Sequence, residues 1–274
     1  MALMSKNNNR FAYAIILVKE ITKTDFKLRY NNSALGYMWS VLKPLALFTI
    51  LYIVFTKIFR IGDAIPHYPV YLLSGLVVWN FFTESTNGSV AAIVEKGDLL
   101  RKINFPKYVI LLSKVLSAII NLVISCSVVA IFMILFGTTV HLTAIFIPLL
   151  LVELAMFTFG LGLILSTIYV RFRDIGHIWE ILLQGFFYLT PIIYPLQFVY
   201  KNFSPDVARL ILLNPVAQVI QDIRYGVVTH DTYTFIQLFG NEWWRLIPIS
   251  ITIAVFVGGL FIFKRRAAYF AEYV

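Results

Sequence analysis

Cysteine is nearly absent from this chain, and so are the motifs by which such a chain could do chemistry by itself. Cys126 is the single cysteine in 274 residues, so no disulfide framework forms within one chain, and no Cys/His spacing suits a metal. No Gly-x-x-x-x-Gly-Lys-Ser/Thr phosphate loop occurs, which excludes ATP binding by that route. His-Glu-x-x-His and Gly-x-Ser-x-Gly are missing too, so neither a zincin nor a nucleophile elbow is encoded. No apolar run carries the carboxylate array of a proton relay, and no internal repeat marks a secondary transporter. A cleavable signal peptide is not expected, because the N-terminus is polar and the first apolar run comes late.

Apolar surface is what the chain has in excess. Hydrophobic residues make up 59%, aromatics 16%, and mean hydropathy is +0.81. A soluble domain of this size needs far less, so the chain reads as an all-α integral membrane protein. The net charge of +9 does not signal nucleic acid, because the basic residues cluster at the ends of apolar runs, where topology places them.

Six spans are expected: about Tyr37 to Phe59, Tyr68 to Phe82 with a polar continuation to Val94, Tyr108 to Phe136, Ala144 to Tyr169, Ile178 to Tyr194, and Arg245 to Phe263. Positive charge gathers before the first span, between spans two and three, between spans four and five, and after span six, which puts both termini in the cytoplasm. After a polar leader, Met1 to Arg10, the segment Phe11 to Tyr30 reads as an amphipathic helix in the headgroup region. Phe11, Ile15, Val18 and Ile21 or Thr22 share one face, Lys19, Lys23 and Lys27 another, and Asp25 pairs with Arg29. A lipid anchor and a partner contact both fit that helix. The chain divides into a cytoplasmic N-terminus (1–34), a membrane domain (35–264) and a cytoplasmic tail (265–274).

Several polar residues inside apolar runs stand out. Glu84 either serves a pathway or, the favoured reading, bonds to a neighbouring helix; Glu153 either pairs inside the bundle or reaches water at the outer boundary. Lys114 is expected to snorkel. Gly160 and Gly162 permit close helix contact. His177 reads as a polar turn residue, with no second metal ligand nearby in sequence.

The stretch Glu95 to Lys107, EKGDLLRKINFPK, is a charged island between two spans. Gly97 and Asp98 break the incoming helix, Leu99, Leu100, Ile103 and Phe105 form a short exposed apolar stripe, and Pro106 ends the element. Such a helix suits docking to another protein, although a purely topological loop fits as well. Beyond span five, Ser204-Pro205 and Asn214-Pro215 are helix starts, each opening a piece too short to cross the membrane. Gly226 is placed to end the second piece.

KTDFKLRYNNSALGYMWSVLKPL (Lys23 to Leu45), YPVYLLSGLVVWNFF (Tyr68 to Phe82), LLRKINFPK (Leu99 to Lys107), YVRFRDIGHI (Tyr169 to Ile178), FFYLTPIIYP and LLNPVAQVIQDIR together resemble, in one order over nearly the whole chain, ABC-2 type permeases that export polysaccharides and teichoic acids. Val78 and Thr190 are slight departures, where that family often has Pro and Ser. The resemblance fits the six transmembrane helices and implies an N-terminal interface helix; the two short pieces between spans five and six, too short to cross and too apolar for a free outer loop, are expected to be re-entrant outer helices. It also implies a homodimer with two separate ATPase subunits, which would hold the ATP and Mg; this chain itself takes no cofactor and no metal and is not an enzyme. The cargo would be a lipid-linked glycan crossing the inner membrane, among membrane lipids and without nucleic acid. Asp98, Leu99, Leu100, Arg101, Lys102, Phe105 and Pro106 would couple to the ATPase, and Lys23, Asp25, Arg29 and Tyr30 would belong to the interface helix. Trp39, Glu84, Phe187 and Tyr188 would line the channel, and Asn214, Pro215, Gln221 and Arg224 would form the outer gate. The alternatives are an ABC-2 permease for a drug or small lipid, an ion-coupled flippase, and a membrane-embedded transferase.

Overall fold

A computed structural model describes residues 13–270, apart from 26, 28–35, 61, 63–64 and 104. Phe11, Arg29, Tyr30 and the leader lie outside the described residues. All secondary structure among the described residues is helical: α1 (13–25), α2 (Trp39–Ile53, prolonged by a π-helical turn, Val54–Ile58), α3 (Tyr68–Val90), α4 (Ala92–Glu95), α5 (Gly97–Lys102), α6 (Tyr108–Phe136), α7 (Ile147–Arg171), α8 (Ile175–Leu189), α9 (Leu196–Asn202), α10 (Pro205–Leu212), α11 (Pro215–Val227), α12 (Phe235–Phe239) and α13 (Leu246–Arg266).

Among the described residues, four helical segments are long and apolar enough to cross a membrane: Trp39–Ile58, Tyr108–Phe136, Leu142–Arg171 and Glu242–Tyr269. They coincide with the first, third, fourth and sixth spans expected from sequence. The other two differ in kind. α3 buries 18 of its 23 residues, so its apolar surface runs all round and it is the axis of the bundle. α2, α6, α7, α8 and α11 pack on it. α8 has 15 residues, about 22 Å at helical rise, and stops at Leu189 rather than Tyr194. Pro191 explains the stop: it forces Thr190 into an extended conformation (ψ 134°) and offers no N–H to continue the ladder.

Gly160 and Gly162 work on different sides of α7. A Cβ on Gly160 would lie 2.6 Å from Phe256 Cα on α13, and one on Gly162 would lie 2.8 Å from Ser89 Cβ on α3. The small residues therefore bring α7 against both neighbours at backbone distance.

Each end of the bundle has its own small core. At one end Ala14, Val18 and Ile21 of α1 pack with Ala92, Ile93, Leu100, Phe105, Val109 and Phe263. The i, i+4, i+7 spacing of those three residues makes the buried face. Ile15, expected on that face, is instead 54% exposed, while Lys19, Lys23 and Lys27 face outward as expected. At the opposite end α9, α10 and α12 close around Leu196, Val199, Ala208, Leu212, Phe235 and Leu238.

Candidate functional site

The charged island folds as α4 and α5 with a break at Lys96. Asp98 sits in the first turn of α5 and Arg101 and Lys102 in the last, each matching the helix dipole. The exposed apolar stripe expected here is not formed. Leu100 (9% exposed) and Phe105 (7%) turn inward to the core shared with α1, Leu99 is half-buried, and the outward residues are Asp98, Arg101, Lys102 and Ile103. Burying a large apolar side chain gains roughly 1.5–3 kcal/mol, which decides the orientation of so short a helix. Pro106 does not end α5, which stops at Lys102; it opens α6, its carbonyl accepting from Val109 N at 3.0 Å. Lys107 donates to the Ala267 carbonyl beside the Phe270 ring, and burial lowers its pKa.

Asp25 ties α1 to this island. Its carboxylate takes Lys96 Nζ at 2.8 Å and Lys114 Nζ at 3.0 Å, and Lys114 also stands 3.7 Å from Glu95. Lys114 is therefore ion-paired rather than snorkelling. Burial pushes the Asp25 carboxyl up, but the two ammoniums outweigh it and hold its pKa below the ordinary carboxylate value.

Two adjoining cavities flank α3. One, of about 590 Å³, lies between α2, α3 and α6 and is lined by Trp39, Lys43, Glu84, Asn121 and Ser125. The other, of about 550 Å³, reaches α8 and is lined by Glu180, Gln184, Phe187 and Tyr188. Asn80, Thr83 and Asn87 line both. Their i, i+3, i+7 spacing is a polar stripe on an otherwise buried helix, which a search for charged residues alone overlooks. All four expected lining residues, Trp39, Glu84, Phe187 and Tyr188, fall on these walls. Glu84 also accepts from Asn121 Nδ2 at 2.6 Å, so it is bonded to a neighbouring helix while facing the cavity. The rest of the polar half of α3 turns inward: Thr86 and Ser89 are buried and donate one turn back, to Phe82 O (2.8 Å) and Ser85 O (2.7 Å).

At the other end the predicted caps form. Ser204 Oγ accepts from Asp206 N at 3.2 Å and Asn214 Oδ1 from Val216 N at 3.0 Å, with Pro205 and Pro215 at the helix starts. Gly226 does not end α11, which runs to Val227. It admits the loop before α7 instead, because an added Cβ would lie 3.2 Å from Ala144 N and its carbonyl accepts from His141 N at 3.0 Å. Gln221 is fully buried. Arg224 is fully buried as well. Its Nε (3.1 Å) and one terminal nitrogen (2.9 Å) donate to Tyr71 O, its terminal nitrogens donate to Pro191 O and Ile192 O at 2.5 Å, and its guanidinium lies 3.5 Å from the Tyr71 ring centroid. It fastens α11 to α3 and to the carbonyls freed where α8 breaks.

The chain is thus a helical bundle with a polar stripe facing two cavities, a basic face at one end and a capped helical cluster at the other. The ABC-2 type transporter family model matches residues 16–230. The O-antigen export system permease protein RfbA of Klebsiella pneumoniae is 31% identical over 277 residues, covering 99% of each chain. RfbA of Myxococcus xanthus is 30% identical over 74% of this chain and 77% of its own. The polysialic acid transport protein KpsM of Escherichia coli is 24% identical over 88% and 92%. The chain belongs to the ABC-2 type transporter family.

Proposed function

We propose that this chain is the permease subunit of an ABC exporter that moves a lipid-linked polysaccharide outward across the inner membrane. The end-to-end match to export permeases, at 31% identity and 99% coverage of both chains, carries this reading. The relatives' names, O-antigen export, polysialic acid transport and capsule polysaccharide export, all refer to glycans. Energy comes from a separate ATPase that holds ATP and Mg, since no phosphate loop occurs in this sequence. Two copies of the permease act with two ATPase subunits.

In this reading α2, α3, α6, α7, α13, and α8 together with the extended stretch that carries it on to Tyr194, are the six spans, and both termini are cytoplasmic. Support comes from charge: Lys19, Lys23, Lys27, Arg101, Lys102, Arg171, Arg173, Lys264, Arg265 and Arg266 belong to the segments assigned to that side. α1 and the outward residues of α5 receive the ATPase. The cavities beside the Asn80–Thr83–Asn87 stripe form part of the glycan path, where amides and hydroxyls meet sugar hydroxyls and Trp39, Phe187 and Tyr188 offer ring faces. α10 and α11, of 8 and 13 residues, are too short to cross ~30 Å of hydrocarbon, and they close the outer mouth as re-entrant helices.

Depleting the chain in its native host tests this directly. Surface polysaccharide should vanish while its lipid-linked precursor accumulates on the inner face. Unchanged surface glycan, with a drug or small lipid retained instead, would overturn the assignment of cargo.

A further inference from the structure

The seam between α7 and α13 is tight in its middle and open at its end. A Cβ on Gly259 would lie 3.2 Å from Gly160 Cα, so the two helices touch there at backbone distance. Roughly two to three turns further on, where both helices end, a cavity of about 350 Å³ lies between them and the C-terminal turn. Two arginines line it, Arg171 as the last residue of α7 and Arg266 as the last of α13. Val170 and Phe270 of its lining are buried, and Ile262 and Tyr269 are exposed. The lining holds no carboxylate, and neither guanidinium makes an ion pair among the described residues.

A cation at a helix C-terminus offsets the negative end of the helix dipole. That end carries about half a unit charge, so two arginines at two ends leave about one positive charge over. A guanidinium fork matches phosphate oxygens, and the Phe172 ring, 5.2 Å from the Arg171 guanidinium, lines the same cavity. The apolar side of the cavity continues away from the arginines along α13. Ile251, Gly258 and Ile262 share one face at i, i+7 and i+11, and a Cβ on Gly258 would meet nothing within 4 Å. A phosphate site that opens onto an apolar track fits a molecule with an anionic head and an alkyl tail. A free anion would use the arginines and leave the track idle.

We propose that this cavity binds one anionic phospholipid, its phosphate held by Arg171 and Arg266, its headgroup beside Tyr269 and one acyl chain along Ile262 and Gly258. Basic pockets between helices at a cytoplasmic face take such headgroups. The lipid bridges the ends of α7 and α13, and it holds down the turn whose Phe270 packs in the core shared with α1 and α5. Which leaflet supplies it rests on the topology proposed above; the binding itself does not.

Native mass spectrometry of the purified full chain in detergent, offered phosphatidylglycerol and phosphatidylcholine of identical chains, tests this without regard to sidedness. The wild type should keep one phosphatidylglycerol per chain in preference to phosphatidylcholine. A basic residue near the membrane surface is worth about a fivefold factor, so R171Q/R266Q should bind phosphatidylglycerol about 30-fold more weakly. I262W, which fills the cavity and keeps both charges, should lose the lipid too, whereas a diffuse attraction to headgroups would survive it. Equal retention of the two lipids by the wild type would overturn the proposal, and that comparison needs no variant to fold. So would unchanged phosphatidylglycerol binding in R171Q/R266Q or in I262W. Displacement of the lipid by inorganic phosphate at matched ionic strength would assign the site to a free anion, and stronger retention of a polyprenyl phosphate would assign it to the cargo; either result overturns the proposal.

Discussion

The two ends of the bundle each pin a short helix with one charged side chain, and they do it in opposite ways. At the end that holds α9 to α12, Arg224 is wholly out of solvent and its planar fork is spent on fixed backbone carbonyls of residues far away in sequence. At the basic end Asp25 remains 11% exposed and meets two ammonium groups on long flexible stems, themselves 25% and 15% exposed. The first arrangement has one geometry; the second tolerates many and is weakened by salt. A rigid lock thus sits where α11 meets α3, and a compliant joint sits where α1 and the α4–α5 island meet. Compliance at that joint suits the end assigned to the motor, which must move.

Breaking the rigid lock should have the largest effect. Arg224→Met leaves the carbonyls of Tyr71, Pro191 and Ile192 buried without donors, an expected loss of about 3–5 kcal/mol. Arg224→Lys should fall in between, because it keeps the charge and loses the fork. Thermal unfolding in detergent checks both, and wild-type melting of R224M would refute the lock. Next comes the α7–α13 seam. Gly259→Val places a Cβ against the Gly160 backbone, with Gly160 Cα 3.2 Å away, and should cost about 1–3 kcal/mol by the same assay.

The compliant joint should respond less. Asp25→Asn should lower stability by about 1–2 kcal/mol, and less at high salt. Its pH dependence follows from the depressed carboxyl. The contribution is fully present above the ordinary carboxylate pKa of 3.8 and is lost as pH falls through the lower folded value. D25N should abolish that acid-side loss. The smallest effect on stability, under about 1 kcal/mol, is expected of Arg101→Glu with Lys102→Glu, both exposed. Their effect should appear in ATPase co-purification, which the charge reversal should abolish.

Local signals in the sequence were readable and distant ones were not. The Ser204 and Asn214 caps, the outward lysines of α1 and the close-packing glycines follow from spacing and residue chemistry within a turn or two. Asp25 shows why the rest was hidden: its partners among the described residues are Lys96, 71 residues away, and Lys114 on α6, and no local spacing points to either. Arg224 reads as one cation in an outer segment, and its partners lie 32 to 153 residues away. In α5 the pattern had two solutions. Six residues present apolar side chains on both faces, and only the core beneath, built from α1, α4 and α6, selects Leu100 and Phe105 to turn inward. The polar continuation of the second span, Thr83 to Val94, was legible, but Asn80 was hidden for a related reason, because the stripe it makes with Thr83 and Asn87 exists only once α3 is known to be central.

The central claim is that this chain is a passive path worked by a separate motor. Co-reconstituting it in proteoliposomes with its ATPase, and measuring ATP hydrolysis and glycan translocation together, tests that most directly. The account predicts no hydrolysis by the chain alone, hydrolysis and translocation by the complex, and loss of both coupling and co-purification in R101E/K102E. Glycan translocation by the chain alone, without ATPase or ATP, would contradict it.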